Sequence, residues 1–146
     1  MSAKLKRFAV SGLLAVGLLL AAGPWLLYWL GLLAVSGKPV PAQFAASREQ
    51  QLVVWQAARG TGDPHVVAVN PYTYIPRSLE RGPHRPSLLL AWWVAAEHYD
   101  KHRRYQGNLW RQLSCGALSI WLTSTWSTEQ LLSKVAELNA ENRSAA

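Results

Sequence analysis

Hydrophobic and polar positions are spread very unevenly along this chain. From Phe8 to Val35 run 28 uncharged residues, mostly Leu, Ala, Gly and Val, more than the about 20 that an α-helix needs to cross a bilayer core. Lys4, Lys6 and Arg7 stand immediately before this run. Trp25, Tyr28 and Trp29 lie in its second half and are expected at the membrane interface, where amphipathic rings favour the boundary between water and lipid. Pro24, following Gly23, predicts a kink, with the lipid-exposed helix ending near Leu27.

Beyond the run the pattern becomes that of a small helical domain. Pro39-Val40-Pro41 is a stiff spacer, and Ala45 to Arg59 has helical character, with Leu52, Val53, Trp55 and Ala58 on or near one face. Gly60-Thr61-Gly62-Asp63-Pro64 breaks it. Val66 to Val69 reads as an extended connector with no evident partner strand. Asn70-Pro71 can start a helix that Pro76 limits to a turn or two, and residues 81–86 form a loop. Pro86 opens a longer helix through Leu88, Trp92, Ala95, Ala96 and Tyr99 to about Tyr105; Gly107 ends it and Asn108 caps the next. Leu109 to Thr123 is apolar nearly all round, which predicts a central buried helix.

The expected core residues there are Trp110, Leu113, Trp121 and Trp126, with Cys115 as a small packing residue and Gly116 permitting a close helix approach. Ser127 and Gln130, three apart, make a capping box, and Trp126 can staple onto Leu131. Leu131, Leu132, Val135 and Leu138 give the last helix its apolar stripe, with fraying expected after Asn139. The fold class read from this pattern is all-α, one N-terminal transmembrane helix followed by a domain of about four helices. The organisation is a cytoplasmic tail (1–7), an anchor (8–35), a linker (36–44), an extracytoplasmic helical domain (45–140) and a frayed tail (141–146). Neither later helix reads as a second span: Leu88 to Ala96 is only nine residues, and Leu109 to Trp126 carries Arg111 and several hydroxyls.

Composition narrows the class. A chain of 146 residues has room for one ordinary domain, and 50% hydrophobic with 16% charged residues excludes intrinsic disorder. The single cysteine excludes an intrachain disulfide framework and a cysteine zinc cage. A cleaved signal peptide, with Leu20-Ala21-Ala22-Gly23 as the cleavage region, competes with an uncleaved anchor. A signal core is about 7–15 residues, whereas this run continues to Val35. Three cations before the span, against Lys38 and Arg48 after it, predict the N-terminus inside and the domain outside, as a single-pass protein of a bacterial inner membrane. Of the net charge of +7, Lys4, Lys6, Arg7 and Lys38 account for four, and the remaining +3 is spread along a tethered domain. It therefore points to anionic headgroups or cell-wall polymers rather than nucleic acid. The expected partners are membrane lipid and another membrane or envelope protein, with peptidoglycan as a further candidate. No cofactor is called for, since no phosphate-binding glycine loop, dinucleotide fingerprint or nucleophile elbow occurs.

Candidate chemistry concentrates at Glu97-His98-Tyr99-Asp100-Lys101-His102-Arg103-Arg104. His98 and His102, four apart, share a helix face at the spacing of a metal clamp; Glu97, Asp100, His65 or His84 would have to complete it. The plainer reading is a solvated helix end whose cations suit the macrodipole. Glu97 follows the apolar run Trp92-Trp93-Val94-Ala95-Ala96, a setting that can raise a carboxylate pKa for general acid–base work. Glycosidic chemistry usually needs a second carboxylate, and the plainer role for Glu97 is an ion pair with Lys101 four residues on. Whichever of Trp92 and Trp93 faces outward is a candidate glycan or partner surface, because adjacent helix positions cannot share a face.

The segments Arg111-Gln112-Leu113 through Trp121-Leu122, then Trp126-Ser127-Thr128-Glu129-Gln130-Leu131-Leu132, resemble the later helical part of bacterial peptidoglycan glycosyltransferases. Ala96-Glu97 is similar to the start of that family's Glu-Asp motif, which carries its catalytic base. The resemblance implies a signal-anchored extracytoplasmic protein, and at Glu97 a glycan-joining function. His98 stands where the motif has Asp, about 24 residues separate Glu97 from Trp121, and the chain is shorter than a complete domain of that family. The expected function is a membrane-anchored, non-catalytic accessory or partner-binding subunit, with a glycan-acting enzyme using Glu97 as the alternative.

Overall fold

The computed structural model describes residues 3–82 and 85–145. Six helices occur in chain order: α1 (Ala3–Leu33), α2 (Arg48–Ala57), α3 (Tyr74–Leu79), α4 (Arg85–His102), α5 (Asn108–Thr125) and α6 (Thr128–Ser144). No strand is present among the described residues, so the all-α expectation holds, with the two-turn α3 added to four longer helices after the anchor. Val10–Leu33 of α1 is the one stretch among the described residues long and apolar enough to cross a membrane.

The helix α1 runs unbroken through Pro24 to Leu33, beyond Leu27, where its lipid-exposed part is expected to end. Tertiary contact explains the extra turns, because the second half of α1 packs antiparallel along α5. Tyr28 lies against the cluster of Val69, Leu88 and Ile120. One turn on, a Cβ at Gly31 would meet the Leu113 carbonyl oxygen at 2.5 Å and the Ala117 Cβ at 2.6 Å. Only glycine lets the two backbones approach this closely. Ala34 and Val35 are then fully buried, Val35 within the main core.

That junction also sets where α4 stops. The Ser36 N–H donates to the His102 carbonyl (2.9 Å), and the Arg104 N–H donates to the Ala34 carbonyl (3.0 Å), pairing Val35 with Arg103. These backbone groups are taken from the helix, so α4 ends at His102 rather than near Tyr105. Gly107, at φ 120°, is the residue before α5. It is therefore the cap, and Asn108 is the first helical residue rather than the capping one.

The main core lies between α2, α4, α5 and α6. Its largest fully buried side chain is Trp55 (1% exposed), whose indole N–H donates to the Thr61 carbonyl. Gly60 packs so tightly on this ring that a Cβ there would come within 2.2 Å of it. Val54, not Val53, is buried beside Trp55, because the buried face of α2 runs through Val54 and Ala58, four apart. Of the expected core residues, Trp126 is buried, while Trp110, Leu113 and Trp121 are half-buried. Trp121 meets Trp126 edge to face at 6.2 Å. Cys115 is fully buried. Gly116 accommodates the Tyr74 ring at the start of α3 rather than a helix backbone.

Both α2 and α6 begin with a complete capping box, Ser47 with Gln50 and Ser127 with Gln130. Leu131, Leu132, Val135 and Leu138 are all buried as their spacing predicts, but α6 continues beyond Asn139 to Ser144. The connector from Val66 to Val69 is extended and pairs with no strand. Three of its N–H groups are satisfied by hydroxyls instead: Val66 donates to Thr128, Val67 to Ser87 and Val69 to Thr123. Pro76 lies inside α3, in its first turn, where its missing N–H has no intrahelical partner to lose.

Candidate functional site

The cluster at the end of α4 forms one wall of an open groove of ≈ 360 Å³. The opposite wall is α6, through Lys134, Leu138 and Glu141, and the rim is the chain leaving α1 at 36–40. Glu97, His98, Lys101 and His102 all face this groove. Glu97 is paired with Lys101 at 2.7 Å, the helix-surface role its spacing allows. The Glu97 carboxylate, by hydrogen bond and charge, holds the Lys101 ammonium above the ordinary lysine range. Across the groove Lys134 pairs with Glu137, and that hydrogen bond holds the Glu137 carboxyl below its usual value.

His98 and His102 come together, but as a stack rather than a clamp. Their rings are 4.3 Å apart and 17° from parallel. His102 Nδ1 lies 3.1 Å from the His98 carbonyl oxygen and His98 Nε2 lies 3.4 Å from that of Gly37. Both contacts turn ring nitrogens toward backbone rather than toward a shared point. No group of three His, Cys, Asp or Glu side chains is arranged to hold a metal among the described residues. His84 lies outside the described residues, and His65 lies tilted against Trp55 instead, ring centroids 5.8 Å apart. Burial and then the neighbouring His102 pull the His98 pKa below its ordinary value, so the ring is uncharged at neutral pH. Asp100 faces away from the groove and pairs with Arg111 at 3.4 Å.

Of the adjacent tryptophans, Trp92 packs against the core and Trp93 is the outward one, 37% exposed. At the other end of the anchor reading, Tyr28 turns into the domain, while Trp25 and Trp29 remain exposed on the far side of α1. Sequence reasoning missed Glu141, Lys134 and Lys38, which complete the groove. Nothing in local spacing links them to Glu97, because α5 lies between it and Lys134 and Glu141, and α2 and α3 lie between it and Lys38. It also missed Gly31, whose neighbours on α5 become visible only in three dimensions. The groove presents two carboxylates, Glu97 and Glu141, among several cations. Such a surface can hold polar or charged groups of a partner. No family of known proteins, no curated protein and no solved structure matches this chain.

Proposed function

We propose that this is a single-pass protein of a bacterial inner membrane, N-terminus inside and domain outside, acting as a non-catalytic accessory or partner-binding subunit. One observation carries the reading. The face of α1 opposite α5 leaves Trp29, Leu30 and Leu33 exposed (55%, 47% and 64%). Counted from Phe8, an untilted helix leaves a hydrocarbon core of about 30 Å near Leu27. This apolar stripe therefore continues beyond lipid, held rigidly by the domain, where a helix of another envelope protein can cover it.

The alternative, a glycan-acting enzyme, has Glu141 in its favour, a second carboxylate in the groove of Glu97. Against it stands the Glu97–Lys101 pair, which occupies the carboxylate. Photo-crosslinking separates the two. A benzophenone side chain at Leu30 or Leu33 is expected to give one discrete adduct in native membranes, and one at the exposed Val53 of α2 none. Glycan strands made from lipid-linked precursor by the purified protein, and lost in Glu97→Gln, would establish the alternative instead. Alkaline phosphatase fused after Ala146 is expected to be active, as the orientation requires.

A further inference from the structure

The end of the domain nearer the N-terminal half of α1 carries a surface that partner binding through α1 does not use. Tyr72 donates a hydrogen bond from its hydroxyl to the Ala21 carbonyl, which sets the following helix α3 beside the apolar span. At 1.5 Å per residue from Phe8, Ala21 lies about 20 Å along α1, inside a hydrocarbon layer of about 30 Å. The segment is suited to that depth. Tyr72, Ile75 and Leu79 are exposed by 49%, 63% and 80%. Part of the polar backbone here is satisfied from within, as lipid favours. The Asn70 side chain accepts from the Tyr72 and Thr73 N–H groups, and Arg77 donates to the Ala68 carbonyl at 2.9 Å.

Next to α3, Arg59, Arg81 and Arg85 line a single open depression. Among the described residues no carboxylate forms an ion pair with any of the three. Arg59 is there at a cost. Helix α2 ends with the Arg59 N–H donating to the Gln56 carbonyl and the Gly60 N–H to that of Trp55 (both 2.9 Å). In this end motif the left-handed position is normally glycine, yet it is held by Arg59 at φ 63°. The strain brings a third guanidinium to the depression, and guanidinium forks match phosphate oxygens.

We infer that this end of the domain is a lipid-binding foot: Ile75 and Leu79 enter the acyl edge, and Arg59, Arg81 and Arg85 seat the phosphate of an anionic phospholipid. The inference rests on the membrane-anchor reading and adds a lipid class to it. Continuity with the span and charge complementarity both select lipid as the occupant.

The test uses the full chain in nanodiscs of phosphatidylcholine with and without phosphatidylglycerol. Anionic lipid is expected to raise the unfolding midpoint, and the double variant Arg81→Gln/Arg85→Gln to lose most of that rise. Arg59→Gly separates binding from folding: in phosphatidylcholine alone it is expected to raise the midpoint, while the gain from phosphatidylglycerol shrinks. A polarity-sensitive dye on Leu79→Cys is expected to read an apolar setting and to be quenched by spin-labelled acyl chains. An undiminished gain in the double variant would overturn the foot, as would an equal gain from inorganic phosphate in detergent. Alkaline carbonate extraction of the wild type distinguishes the two readings. Release from the membrane sinks the anchor and the foot together, whereas retention with a water-exposed Leu79 dye sinks the foot alone.

Discussion

The uncharged run from Phe8 is apolar throughout, yet its two halves in α1 have opposite surroundings. In the first, Gly12 and Gly17 have nothing within 4 Å of where a Cβ would stand, and the leucines between them are exposed. In the second, Gly31 is pressed onto the backbone of α5, Tyr28 joins a core cluster and Val35 is buried in the main core. Apolarity therefore does not by itself say which solvent a helix meets. A residue small enough for close approach, set where the chain can return alongside, turns an apolar helix into part of a core. The domain consequently begins within the apolar helix.

The largest effect that sharpens this contrast is expected from tryptophans. Trp55→Ala empties the centre of the core and is expected to cost about 3–5 kcal/mol, enough to unfold a marginal domain. Trp25→Ala, on the exposed face of α1, is expected to leave the midpoint of thermal unfolding nearly unchanged. Trp121→Ala falls between them, since Trp121 is half-buried. Glycines come next. Gly31→Leu forces α1 from α5, where the obstructing atom is backbone and cannot turn aside, and is expected to cost about 1–3 kcal/mol or more. Gly17→Leu, in the first half, should be silent in the same assay. Equal costs for the two would break the comparison.

The junction is also expected to respond to acid. His98 lies against the chain leaving α1, beside His102, Lys38, Lys101 and Lys134, with Glu97 and Glu141 as the opposing charges. Its folded pKa is lowered from 6.5, so the unfolded chain takes up this proton first. The stability present above pH 6.5 is therefore lost as the pH falls from there through the folded value. His98→Gln is expected to flatten this part of the unfolding profile between about pH 7.5 and 5. Smaller still is Glu97→Gln, which breaks only an exposed pair with Lys101. Its midpoint is expected to match the wild type within error. Cys115, fully buried and pushed up to about 11 by that burial, should resist thiol reagents until the protein unfolds.

Much of this fold could be read from the chain because its signals are local. The capping box at Ser127, the stripe from Leu131 to Leu138 and the long run after Phe8 each need only neighbours in sequence. What escaped depends on long-range partners. The end of α4 is fixed by Ala34 and Ser36, and the buried tryptophan of the core is identified by Gly60 closing over Trp55. The groove was half legible. Its α4 wall stood out as a dense cluster of charges and histidines, but its α6 wall comes from Lys134 and Glu141, which no motif connects to it.

Native-state hydrogen exchange on the full chain in nanodiscs tests most directly whether the anchor is part of the core. The Ser36 and Arg104 amides, which donate across the junction, lie beyond the span counted from Phe8, so lipid cannot protect them. If α1 is built into the domain, both are expected to exchange as slowly as Leu118 in the centre of α5, opening only with global unfolding. Exchange of Ser36 and Arg104 at the rate of an unstructured peptide, with Leu118 still protected, would contradict the account and make the anchor a free tether.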